Sequence, residues 1–501
     1  MQRTAVINVV GLTEALIGPD TPRIRAFRQH GACAKIVPAF PALTCTAQST
    51  YLTGTSPAQH GIVGNGWYER QLAEVQFWKQ SNHLVQGRKL WEELRERDPK
   101  FTCAKLFWWY NMYSTADYSI TPRPMYPADG RKVFDIYTWP YSIRGAIKKE
   151  LGEFPFPTFW GPAAGMQTPQ GPPDAASRWI AESAKWIERE YHPTLTLVYL
   201  PHLDYNLQRH GPFTAATDAR RRSVKPFDGV CINPADREPP SASHQAPSIN
   251  PAILPDIRAI DAIAGDLIDF FGQQSVRVIL LSEYGITPVS WPVHLNRLFR
   301  SQGWLSVKDE LGLELMDFGA SKVFGVADHQ VAHIYLNDPA LESQVRSLLE
   351  KTEGVGTVMG RTEKCAAGLD HPRAGDLVAI AEERAWFTYY YWLDDRVAPD
   401  FARTVDIHRK PGYDPMELFL DPQIKLPKLK IGWRLLQKKL GFRMLMDVIP
   451  LDATLVKGSH GRRPADSAHY PLLISQEPKL LLNSLIEATD VCHLLKRHVL
   501  A

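Results

Sequence analysis

Short β-branched or apolar runs separated by long amphipathic stretches constrain this chain more than any other feature. Residues 5–10, 104–107, 194–200, 276–282 and 377–381 have the character of buried strands. Residues 175–190, 257–271 and 295–302 have helical periodicity. Strands alternating with helices predict an α/β fold whose largely parallel sheet is sandwiched between helices, with ligands bound beyond the C-terminal strand ends. A chain of 501 residues with 44% hydrophobic content can bury a large core of this kind, here read as one domain over 1–501. Two segments read as additions. Residues 108–171 are aromatic and Pro-rich and suit a cap over the site, while 213–251, polar and rich in Pro, Ser and Arg, suit a surface or disordered insertion.

The densest functional pattern runs from residue 37 to 70. An extended chain through Pro41 leads to Thr44, and Ala47, Thr50, Tyr51 and Thr53 follow a short helix that Gly54 ends. Thr44 is thereby expected at a helix N-terminus, where free N–H groups and the helix dipole favour an anionic group or a deprotonated hydroxyl. The alternative is that Thr44 is only a helix cap.

This segment resembles the alkaline phosphatase superfamily, and within it the nucleotide pyrophosphatase/phosphodiesterase branch. The matching order is Thr44, Thr53-Gly54, Pro57, His60-Gly61-Ile62 and Asn65. The resemblance implies an alkaline-phosphatase-like core with cap insertions, Thr44 as nucleophile and metal ligand, and Asn65 as a partner of a phosphoryl oxygen. It also implies a two-metal site of Asp and His at strand ends, and there the chain departs from the pattern. Asp204 and Gly211-Pro212 match, but Gln208 stands where the family has His. Ser282-Glu283-Tyr284-Gly285 replaces S-D-H-G, and Val10 replaces a ligating Asp, with Asn8 the nearest polar residue on the same strand face. Lys457-Gly458-Ser459-His460-Gly461 keeps a His. The implied metal residues are Asp204, Gln208 and His460 for one ion, and Glu283, Tyr284 and Asn8 for the other. The expected cofactor is a divalent ion, Mn²⁺, Mg²⁺ or Zn²⁺; zinc disfavours amide and phenol ligands, so Mn²⁺, Mg²⁺ or Ca²⁺ suits the oxygen-rich half better. The metal count stays open.

Other clusters admit two readings. Asp328-His329 through His333, Asp370-His371, and Asp406 through Asp414 could hold an ion or phosphate, or their histidines could satisfy loop backbone. His408 and Arg409 in the last cluster, and Arg123 in the cap, are candidates for contacting an anionic substrate. The aromatic run 386–392 reads as buried packing, and Cys45 as a small packed residue.

These features predict a metal-dependent hydrolase of phosphate esters, of phosphodiesterase or nucleotide pyrophosphatase type, with a Thr nucleophile and a small-molecule substrate. The alternative is a non-hydrolytic ligand-binding protein with a degraded metal site, favoured by Val10, Gln208 and Tyr284. A sulfatase is disfavoured because C/S-x-P-x-R is absent around Thr44. A net charge of +3 gives no reason to expect nucleic acid, and no segment reaches the ~18 apolar residues of a membrane span. Six scattered cysteines without C-x-x-C spacing, and an N-terminus that reads as a strand, predict a cytoplasmic protein. The oligomeric state is left open.

Overall fold

The computed structural model describes residues 1–129, 131–168, 171–214 and 248–501. Its main sheet has nine strands: β1 (Thr4–Val9), β2 (Ala32–Val37), β3 (Cys103–Leu106), β4 (Tyr118–Pro122), β5 (Ile136–Trp139), β6 (Leu195–Leu200), β7 (Arg277–Leu281), β8 (Leu472–Ser475) and β9 (Leu485–Glu487). They lie side by side in the order β9-β2-β8-β7-β1-β6-β3-β4-β5. The centre is parallel. Thr4 of β1 pairs in register with Leu195 on one side and Arg277 on the other. Every residue of β1 and β6 is buried, which is why both sequences read as continuous apolar or β-branched runs without alternation. Helices Ala175–Tyr191 and Leu254–Gln273 pack on each other and over β6, β1 and β7.

Three chain segments leave the C-terminal ends of adjacent central strands together: Val10-Gly11 after β1, Pro201 and the helix His202–His210 after β6, and Ser282-Glu283-Tyr284 after β7. Ligands of open α/β sheets bind at this edge.

Residues 377–381 do form a strand, but not in the main sheet. They pair antiparallel with Val331–Leu336 and with Val355–Met359 in a second, four-stranded sheet that also contains Val323–Asp328. An apolar run alone does not specify which sheet it joins. This sheet is backed by its own core, into which Trp386, Phe387 and Tyr389 to Trp392 are fully buried. Residues 108–171 supply β4 and β5, the helix Ser142–Leu151, and several aromatic side chains near the end of β6. Most of the 213–251 segment lies outside the described residues. Its two ends meet in a bridge between Phe213 and Ile249.

Candidate active site

The helix Thr44–Thr53 is buried on every side although seven of its ten residues carry polar side chains. Two of these bond back to their own helix: Thr50 Oγ1 donates to Thr46 O at 2.9 Å and Thr53 Oγ1 to Ser49 O at 2.8 Å. Gly54 closes the helix in the left-handed conformation at φ +70°, which suits the residue without a Cβ. Thr44, at the other end, is the first helical residue and points its hydroxyl into a cleft.

A hydrogen-bonded chain starts there. Thr44 Oγ1 lies 3.0 Å from the Tyr284 hydroxyl, and that hydroxyl donates to Asp204 Oδ1 at 3.2 Å. Gln208 Nε2 donates to Asp204 Oδ2 at 2.8 Å, and the Tyr413 hydroxyl donates to Gln208 Oε1 at 2.9 Å. Because the single Tyr284 proton goes to the carboxyl, Thr44 must donate to the Tyr284 oxygen, leaving its own lone pairs to face the cleft. Asp204 and Gln208 are one helical turn apart, so both side chains meet on one face of His202–His210. His460 reaches Tyr284 from the far end of the chain and stacks on its ring at 3.6 Å and 7°. That approach needs Gly458: a Cβ there would sit 2.1 Å from Leu207 O on the same helix. The His460 Nδ1 lies 2.8 Å from Ala42 O, which as a pure acceptor fixes the proton on Nδ1.

A second group lies beneath. Asn8 Nδ2 and Gln48 Nε2 both donate to Glu283 Oε1, while Glu283 Oε2 and Asn8 Oδ1 find no hydrogen-bond partner among the described residues. Gln48 Oε1 accepts from Trp109 N at 2.7 Å, tying the cap-region aromatics to the helix. Burial pushes the Glu283 carboxyl up to about 8 and the Asp204 carboxyl up to about 7, with hydrogen bonds from neighbouring side chains opposing the rise at each.

Asn65 sits behind Thr44. Its Oδ1 accepts from Cys45 N at 3.0 Å, and its Nδ2 donates to Asp328 Oδ1 at 3.1 Å. Asp328 also accepts from Asn65 N at 2.8 Å, and burial raises its carboxyl to about 7. The neighbouring His329 stacks on Tyr413 at 3.6 Å and lies 3.7 Å from the His460 ring, with its Nε2 unpartnered in the protein. Burial holds His329 and His460 well below the usual imidazole range, so both are neutral.

The cleft has a volume of about 60 Å³. Trp78, Trp109, Phe159 and Trp160 line it beside Thr44, Asp204, Tyr284, His329, Tyr413 and His460, and among the described residues no Arg or Lys does. The structure thus brings Thr44, Asn65, Asn8, Asp204, Gln208, Glu283, Tyr284 and His460 into one neighbourhood. It does not bring in the three substrate-binding candidates. Arg123 is exposed; His408 turns its Nδ1 to Phe77 O at 3.2 Å; Arg409 pairs with Asp400 at 2.9 Å over the Phe401 ring. Only Arg409 takes a partner close in sequence; His408 reaches a backbone carbonyl 331 residues away. Asp328, His329, Tyr413 and Gln48 are additions to the site. Asp328-His329 was visible as a cluster, but of its histidines only His333 serves backbone, at Val63 O and Gly375 N.

The donor chemistry does not fit a pair of divalent ions. Both oxygens of Asp204 are committed to side-chain donors, Glu283 keeps only Oε2 uncommitted, Val10 offers no ligand atom, and the remaining positions present a phenol and an amide, both poor ligands for zinc. Among the described residues no group of three or more His, Cys, Asp or Glu side chains could hold a metal ion.

Comparison with known proteins agrees with the architecture. The family model described as type I phosphodiesterase / nucleotide pyrophosphatase matches residues 4–414. No curated protein matches the chain by sequence. Murine ectonucleotide pyrophosphatase / phosphodiesterase 5 superposes with a TM-score of 0.54 at 12% identity, covering 99% of this chain and 95% of the murine one. An inactive form of the murine protein in complex with AMP gives 0.53 at 13%, covering 100% and 95%. Phosphonoacetate hydrolase from Sinorhizobium meliloti 1021, in complex with phosphonoformate, gives 0.56 at 14%, covering 100% and 96%. At these identities the likeness concerns the fold.

Proposed function

The chain belongs to the type I phosphodiesterase / nucleotide pyrophosphatase family, and from that premise we propose that its cleft binds a small phosphoester at Thr44 without the two-metal hydrolysis that the family resemblance implies. The observation that carries this reading is the chain Thr44–Tyr284–Asp204, in which the groups corresponding to family metal ligands bond to one another. With no Arg or Lys among the described residues lining the cleft, the positive end of helix Thr44–Thr53 and neutral donors are left to hold the charge. A singly charged phosphodiester suits such a site better than a dianionic monoester, because Asp204 would repel the second charge. The aromatic walls supply faces for a planar substituent, a contact of about 1–3 kcal/mol per stacked ring in base-binding proteins. Five unpaired cysteines among the described residues support a cytoplasmic location.

A second reading, a metal-dependent hydrolase in which Thr44 attacks phosphorus and Asn65 holds a phosphoryl oxygen, is favoured by the gathering of Thr44, Asn65 and His460 at one cleft. One experiment separates the two. Metal content of protein purified without chelator is measured together with binding and hydrolysis of bis(p-nitrophenyl) phosphate across Mn²⁺, Zn²⁺ and Mg²⁺, with Thr44→Ala as control. Binding that weakens in Thr44→Ala, with neither stoichiometric metal nor nitrophenolate release, is the expected outcome. Metal-dependent release that Thr44→Ala abolishes would establish the second reading instead.

A further inference from the structure

The helix Pro427–Lys439 has no buried residue. Leu426, Leu429, Trp433, Leu436 and Leu440 recur at spacings of three and four, so they form one stripe, and they are 65, 68, 58, 44 and 64% exposed. The opposite side is anchored. Lys430 and Arg434 reach Asp447 at 2.9 and 3.0 Å, and Ile431 packs against the core of the second sheet. The helix is therefore held to the protein by one face and presents a row of leucines and a tryptophan to solvent on the other. Phe442, 65% exposed, extends that apolar surface beyond the helix end.

The charge around this stripe is one-sided. Residues 425–446 contain seven Lys or Arg and no Asp or Glu, in a chain whose net charge is only +3. After the pairs to Asp447, Lys425, Lys428, Lys439 and Arg443 remain to flank the stripe. An exposed apolar face bordered by cations, with Trp among the leucines, has the composition of a helix lying in a membrane interface. A second copy of the chain would bring the same positive charges face to face. No described helix is long and apolar enough to cross a bilayer, so the contact is with its surface.

We propose that the helix Pro427–Lys439 is a docking element for anionic lipid surfaces, its leucine and tryptophan stripe entering the headgroup boundary and its lysines contacting lipid phosphates and carboxylates. The proposal is independent of the chemistry at Thr44.

The test is co-sedimentation of the full-length protein with vesicles of phosphatidylcholine alone or of phosphatidylcholine mixed with phosphatidylserine. Binding to the mixed vesicles alone is expected, weakening as salt screens the charges. Lys425→Ala/Lys428→Ala/Lys439→Ala should lower the partition coefficient about fivefold per charge, or about a hundredfold in total. Leu429→Ser/Trp433→Ser should abolish binding while circular dichroism and the melting curve stay as in the wild type, since both side chains face solvent. Absence of binding to mixed vesicles, or equal binding to both compositions, would overturn the proposal. So would a concentration-dependent dimer that Leu429→Ser/Trp433→Ser converts to monomer, since a second copy would then be the occupant.

Discussion

Replacing Tyr284 by Phe tests whether the protein's own hydrogen bonds occupy the centre of the site. The substitution keeps the ring that stacks on His460 and removes only the hydroxyl between Thr44 and Asp204. Asp204 is 8% exposed, so its Oδ1 has little access to water once the donor is gone, and Gln208 serves only the other oxygen. A buried acceptor left unsatisfied costs about 1–3 kcal/mol. The cost depends on pH in a defined direction. The folded pKa of Asp204, about 7, is above its unfolded value of ~3.9. Between the two the native state binds the extra proton, and stability falls as pH rises. The Tyr284 hydrogen bond lowers the folded pKa. Tyr284→Phe therefore raises it, and the fall in stability extends further into alkaline pH. Urea denaturation from pH 5 to 9 should give a penalty near the lower figure where Asp204 is protonated and near the upper where it is ionised. A penalty below ~0.5 kcal/mol throughout, or one that shrinks as pH rises, would refute the reasoning. So would a zinc-dependent gain in wild-type stability, which for a native-state site is ~2.7 kcal/mol at a hundred times Kd.

Four further outcomes are expected. The triple variant Val10→Asp/Gln208→His/Tyr284→His should bind Zn²⁺ in equilibrium dialysis where the wild type does not, because it restores carboxylate and imidazole donors around Asp204, Glu283 and His460. Lys410→Met should lower the unfolding free energy by about 3–5 kcal/mol, since Lys410 alone bridges the buried carboxyls of Asp414 at 2.7 Å and Glu417 at 2.8 Å. Burial depresses the Lys105 ammonium to about 7, against ~10.4 unfolded, so the unfolded state holds the extra proton in that window and stability rises with pH; Lys105→Met should remove this rise between pH 8 and 10 in denaturation curves. Iodoacetamide should label exposed Cys365 and spare Cys45, which is fully buried with its thiol held well above the usual range.

Much of the fold was legible because its central strands are buried on both faces and carry that burial as apolar or β-branched runs, with Asn8 the one interruption in Thr4–Val9. The substitutions at the site were legible too, since Gln208, Tyr284 and Val10 sit at positions fixed by neighbouring motif residues. What was not legible depends on chain crossings of long range. His329 occupies the turn between Val323–Asp328 and Val331–Leu336 at φ +61°, and only the placement of the second sheet aims its ring at Tyr413 and His460. Tyr413 reaches Gln208 from 205 residues away. Arg123, His408 and Arg409 show the converse: charge near a site in sequence says nothing about which way a long side chain turns, and Arg123 faces solvent, His408 a distant backbone carbonyl and Arg409 a nearby carboxylate.

The amide of Asn65 carries a mechanical implication. With its Oδ1 on the Cys45 N–H in the first turn of helix Thr44–Thr53 and its Nδ2 on Asp328 at the tip of the second sheet, it rivets that helix to the second sheet, beside the apolar cluster that Cys45 shares with Val331 and Val378. If the second sheet opened alone, Asp328 would withdraw and the rivet would lose one end, loosening the helix that aims Thr44. A shift of Asp328 is thus passed to the helix that aims Thr44, and the geometry at Thr44 depends on how firmly the second sheet is packed.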